Sequence, residues 1–75
     1  MQLFDFVLKM TYWVITDRRG KYWSTRDQDW MGFTRATLYD SEGKAEMVLS
    51  SVKFNLKNDM EIHDPTVQKI KVEIE

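Results

Sequence analysis

The sequence predicts a small α+β domain: a sheet of about four strands in the order β-hairpin, β, α, β, with one helix packed on one face. Three observations predict it. Residues 11–25 hold two runs of β-branched and aromatic residues around a connection that ends in glycine. From residue 42 into the mid-fifties, apolar residues recur at helical spacing. Residues 69–75 alternate between charged and apolar side chains, as a half-buried strand does.

The hairpin is the clearest unit. Thr11-Tyr12-Trp13-Val14-Ile15-Thr16-Asp17 forms one arm and Lys21-Tyr22-Trp23-Ser24-Thr25 the other, joined by Arg18-Arg19-Gly20. Gly20 supplies the positive φ that such a turn needs. Asp27-Gln28-Asp29-Trp30-Met31-Gly32 is polar apart from Trp30 and Met31 and reads as a loop. Ala36-Thr37-Leu38-Tyr39 reads as a short third strand. Asp40 or Ser41 then offers an N-cap, because its side-chain oxygen can accept from an amide of the first turn. Glu42 and Glu46 suit the positive end of the helix dipole. Ala45, Val48, Leu49, Val52 and Leu56 form the apolar stripe that seats the helix. Asn55, Asn58 and Asp59 mark the helix exit, and His63-Asp64-Pro65 reads as a surface turn, since proline disfavours helix in the residue before it. In the last strand Ile70, Val72 and Ile74 are expected to face the core, with Lys71 and Glu73 facing water.

The amino end is harder to place. A strand over residues 2–17 would far exceed the usual length. A break near Lys9-Met10 is therefore expected. The single domain 1–75 then divides into an N-terminal extension or extra strand, 1–9, and a ββ-β-α-β unit, 11–75. Met10 also stands where a second translation start would fall.

Composition narrows the chemistry. The apolar content, 43%, is too high for a disordered chain. A chain of 75 residues buries a small core and gains from disulfides, metals or partners. There is no cysteine, which excludes disulfides and thiolate sites, and one histidine excludes a two-His metal site within one chain. The net charge is −1, split as +2 over residues 1–39 and −3 over 40–75, far from the basic footprint of a duplex-DNA binder. No apolar run approaches a membrane span. The start lacks a basic leader and carries Asp5 within its apolar stretch, so a cytoplasmic location is expected.

The candidate site residues lie on and beside the hairpin. Tyr12 and Val14 share one face, Trp13 and Ile15 the other, so both faces are apolar while only one helix is available. Either residues 3–8, with Phe4, Phe6 and Leu8, cover the second face, or Trp13, Tyr22, Trp23 and Trp30 form an aromatic patch for a protein partner, another protein or a second copy of the chain. Arg18, Arg19 and Lys21 at the turn, with Arg26 and Arg35, form a basic cluster. Beside stacking aromatics such a cluster suits single-stranded nucleic acid, although Asp17, Asp27 and Asp29 would repel its backbone. Asp27 and Asp29 lack the spacing of a calcium loop. Ser24, Ser41, Ser50 and Ser51 lie in no nucleophile elbow, and Gly20, Gly32 and Gly43 make no phosphate loop. No catalytic residue, metal or cofactor is expected.

Tyr12-Trp13-Val14-Ile15, Gly20-Lys21-Tyr22-Trp23-Ser24, Ala36-Thr37-Leu38-Tyr39-Asp40-Ser41, Ala45 in a helix and Ile70-Lys71-Val72-Glu73-Ile74 together resemble a loose class of small bacteriophage and prophage proteins. These open on an aromatic hairpin of the type Y-x-V-I-x-[DN]-x-x-G-K-Y, followed by an A-x-x-[FY]-x-S strand, a helix and an alternating strand. The resemblance covers residues 11–75, and its motifs are turns and core positions. Residues 1–9 are additional to it. It implies a phage or prophage origin in a bacterial host and brings no catalytic residue. Proteins of this kind often bind and inhibit a host protein, including defence systems. The expected function is thus a non-catalytic binding protein acting by protein–protein contact, with homo-oligomers expected. The alternatives are a nucleic-acid-associated regulator using the basic aromatic hairpin, or a self-assembling accessory protein.

Overall fold

The computed structural model describes residues 8–56 and 59–74. In chain order they form β1 (Leu8–Thr16), β2 (Tyr22–Ser24), β3 (Asp29–Met31), a single 3-10 turn (Phe33–Arg35), α1 (Glu42–Leu56), α2 (Met60–His63) and β4 (Thr66–Ile74). The sheet is antiparallel throughout, in the order β3-β2-β1-β4, with α1 packed across β1 and β4. This is the small α+β architecture that the sequence predicts.

β1 is the organising strand. Its β-branched run favours a pleated, buried surface. Val14 and Ile15 are adjacent and so project to opposite faces, and both are fully buried. Both faces of the sheet are therefore covered at this level. Ala45, Leu49 and Val52, spaced four and three apart, are the buried stripe of α1. Ser41 is the helix cap: its Oγ accepts the amide of Lys44 at 3.2 Å. Asp40 instead pairs with Lys44 at 2.9 Å.

Several expectations are corrected. β1 runs without a break through Lys9 and Met10, because Leu8, Lys9 and Met10 pair with Ile74, Glu73 and Val72. The expected cover by Phe4 and Phe6 lies outside the described residues. The 27–32 segment is not all loop: Asp29–Met31 is β3, held by Trp23 opposite Trp30. Ala36–Tyr39 is not a strand. Only Tyr39 joins the sheet, exchanging two 2.9 Å backbone bonds with Trp13, while Thr37 donates to the Trp23 carbonyl. His63 ends a short helix, and the left-handed Asp64 (φ 40°) stops it by donating its amide back to Met60. β4 starts at Thr66, three residues earlier than expected. Within it Lys69 and Lys71 are exposed and Ile70 and Val72 half-buried, so the alternation holds while the burial is partial.

Candidate functional site

The densest polar constellation grows from the hairpin turn. Gly20 takes φ +80°, which lets Asp17-Arg18-Arg19-Gly20-Lys21 close tightly. Asp17 then sits buried beneath its own turn. Its Oδ1 accepts the amides of Lys21 (2.9 Å) and Arg19 (3.0 Å), and its Oδ2 accepts Arg19 Nε (3.0 Å). His63 Nδ1 lies 3.1 Å from the same Oδ2 and 3.3 Å from Arg19 Nη2. A carboxylate can only accept, so the Nδ1 that meets it carries the proton and donates. Arg18 adds a backbone bond to the His63 carbonyl at 2.6 Å and a looser ion pair with Asp64 at 3.7 Å. Burial pushes the Asp17 carboxyl up, but the bonds from His63, the Lys21 amide and Arg19 together outweigh it and hold the carboxyl below its ordinary value.

Aromatic side chains extend this cluster. The His63 ring stacks on Trp30, with centroids 5.2 Å apart and planes at 13°. Trp30 meets Trp23 edge-on at 5.4 Å, and Tyr22 meets Phe33 edge-on at 5.2 Å. Trp13 is half-buried, and its Nε1 is enclosed with no hydrogen-bond partner among the described residues. The aromatic residues singled out in the sequence are thus half-buried; Trp23 and Trp30 engage one another, Trp30 engages His63, and Tyr22 engages Phe33. No known protein family, curated protein or solved structure matches the chain. Its chemistry is therefore read from this geometry.

A second polar group lies at the β2–β3 connection. Arg35 grips Asp27 through Nε–Oδ2 (2.9 Å) and Nη2–Oδ1 (2.8 Å). Buried Ser24 donates to Asp27 Oδ2 at 2.8 Å and accepts the Asp27 amide at 3.1 Å. The Arg35 guanidinium and then the Ser24 hydroxyl bring the Asp27 carboxyl down to about 2. An open cleft of about 310 Å³ lies against this pair, lined by Arg26, Asp27, Thr34, Arg35 and Thr37 among others. The basic cluster is therefore divided: Arg19 is drawn onto Asp17, Arg35 onto Asp27 and Arg18 towards Asp64, with Arg26 at the cleft.

The sequence reading missed His63 and Asp27 as organising residues. The signal at His63 was its neighbour Asp64, which pairs with Arg18, whereas its actual partner, Asp17, lies 46 residues away. Among the described residues no group of three His, Asp or Glu side chains is arranged to hold a metal ion, and no helix is long and apolar enough to cross a membrane.

The largest apolar exposure lies elsewhere. Met47 is 74% exposed and Phe54 70% exposed. At 100° per residue these positions point away from the buried Ala45-Leu49-Val52 stripe. Gly43, Ser50 and Ser51 fall on the same side, so the outer strip of α1 carries no charge.

Proposed function

We propose that this chain is a non-catalytic binding module of phage or prophage origin that acts by contact with another protein. The observation that carries this reading is the uncharged outer strip of α1, on which Met47 is 74% exposed. Exposed apolar surface rimmed by polar residues is a common mark of a protein-contact site. Ile62 on α2, 56% exposed, supplies a further apolar contact. The nucleic-acid alternative has less support, because Arg18, Arg19 and Arg35 are already engaged by carboxylates.

The test is capture from a bacterial lysate by the immobilised chain and by a Met47→Glu/Phe54→Glu variant. The reading expects proteins that the parent retains in both low and molar salt and that the variant loses. Identical capture by both chains, or binding of a labelled single strand that collapses with salt as counterion release requires, would overturn it.

A further inference from the structure

β4 is an edge strand of nine residues, and the direction of its backbone groups follows from the bonds already described. Trp13 exchanges both of its backbone bonds with Tyr39, on the side of β1 away from β4. Successive residues of a strand direct their N–H and C=O groups to opposite edges. The even-numbered residues of β1 therefore bond towards β4. The register sets even opposite even, Tyr12 with Ile70 and Met10 with Val72. So Ile70 and Val72 bond inward, while Val67, Lys69, Lys71 and Glu73 direct N–H and C=O groups outward. No strand pairs with that edge among the described residues.

An exposed edge of this length is a template for another strand. The charges along it decide which strand fits. A second copy pairing antiparallel must set odd residues opposite odd ones, so that the outward groups meet. Centred on Ile70, the pairing sets Lys69 opposite Lys71 twice. Centred on Lys69, Lys71 or Glu73, it sets a like charge against itself on the axis, although about Lys71 it also sets Lys69 opposite Glu73 twice; centred on Val67 or Gln68, it opposes no two charges within the strand. Centred on Val72, it sets Lys71 opposite Glu73 twice, with Ile70 opposite Ile74. Like charges directly opposed disfavour pairing, and unlike charges favour it.

We propose that two copies of this chain associate through their β4 edges, antiparallel, with the two-fold axis at Val72, to form one continuous eight-stranded sheet. The surface is distinct from the outer strip of α1, so each copy keeps that strip available.

The chain has no cysteine, so single cysteines read the register directly. At the axis the two Val72 residues form a non-hydrogen-bonded pair, whose Cα spacing of about 4.5 Å suits a disulfide. Under mild oxidation Val72→Cys is expected to cross-link, and Lys71→Cys and Ile70→Cys to remain largely monomeric. Light scattering is expected to give twice the chain mass for the parent. Lys71→Pro removes one outward N–H and leaves the β1 ladder bonds in place, so it is expected to halve the mass with an unchanged circular dichroism spectrum. Lys71→Glu is expected to do the same by repulsion, and Lys71→Glu/Glu73→Lys to restore the dimer. A parent chain that stays monomeric at millimolar concentration overturns the proposal. So does a dimer that cross-links best away from residue 72, or one indifferent to the charge reversal. Met47→Glu should leave the mass unchanged, which separates this surface from the one on α1.

Discussion

Asp17 follows β1, closes the hairpin turn and holds His63, so one carboxylate ties the turn to the end of α2. Asp17→Asn keeps the shape but removes the charge that Arg19 and His63 engage. It is expected to lower stability by about 1–3 kcal/mol in urea unfolding. The same residue fixes an acid response. Its carboxyl titrates below the ordinary value in the fold, so the unfolded chain takes up the proton first as acid is added. The stabilisation is fully present above about pH 4 and is lost as the pH falls through the depressed folded value. Asp27, held at about 2, acts in the same direction over the window below its ordinary value. An Asp17→Asn/Asp27→Asn chain should accordingly show a flatter loss of urea midpoint between about pH 4 and pH 2. Two glycines make a second test at this scale. A methyl group would meet nothing within 4 Å at either Gly20 or Gly43, but only Gly20 has a positive φ. Gly43→Ala is expected to raise the unfolding free energy through helix propensity, by up to about 1 kcal/mol, with a higher thermal midpoint. Gly20→Ala is expected to lower it by about 1–2 kcal/mol, with a lower midpoint, since left-handed backbone disfavours Cβ.

Among the elements, α1 carries two faces with opposite expectations. Leu49 is buried, and Leu49→Ala should cost about 2–4 kcal/mol. Met47→Glu on the outer strip should change stability by no more than about 0.5 kcal/mol, so denaturant curves distinguish a core face from a contact face. Elements of this kind are also the ones legible in the sequence. The helix announced itself by Ala45, Leu49 and Val52, and the hairpin by its β-branched arms and Gly20, because both signals lie within a few residues. β3 escaped notice because its three residues hold too little pattern among acidic neighbours; what makes it a strand is Trp30 lying opposite Trp23. Ala36–Tyr39 has the composition of a strand but contributes only the Tyr39 bridge to the sheet. The burial of His63 could not be read locally, since Trp30 and Asp17 reach it across the chain. The packing of the hairpin aromatics was hidden for a related reason: Trp23 meets Trp30 and Tyr22 meets Phe33, partners supplied by the following segments of the chain.

At the scale of the whole molecule, the structure is long for its size. It measures 54 × 22 × 19 Å with a radius of gyration of 14.6 Å, whereas a compact chain of this length has about 11 Å. Among the described residues the fully apolar core is Val14, Ile15, Ala45, Leu49 and Val52. A chain of 75 residues has little interior, which leaves the fold marginal and sensitive to association. If β4 edges pair as proposed, the thermal midpoint should climb with each tenfold rise in protein concentration, and Lys71→Pro should abolish that dependence.

The pairing of β1 with β4 has a temporal consequence. Leu8 lies opposite Ile74 and Thr16 opposite Thr66, so the longest ladder of the sheet joins residues 50 to 66 positions apart. None of it can form until Thr66 and the residues after it have left the ribosome. The hairpin and α1 emerge first as local, weakly held pieces, and the nine residues of β4 close the sheet in a late step. Loop closure of this span slows folding relative to a domain held by local contacts. Nascent chains stalled before residue 66 should accordingly remain open to protease, and those carrying the whole of β4 beyond the exit tunnel should become resistant together, in one transition.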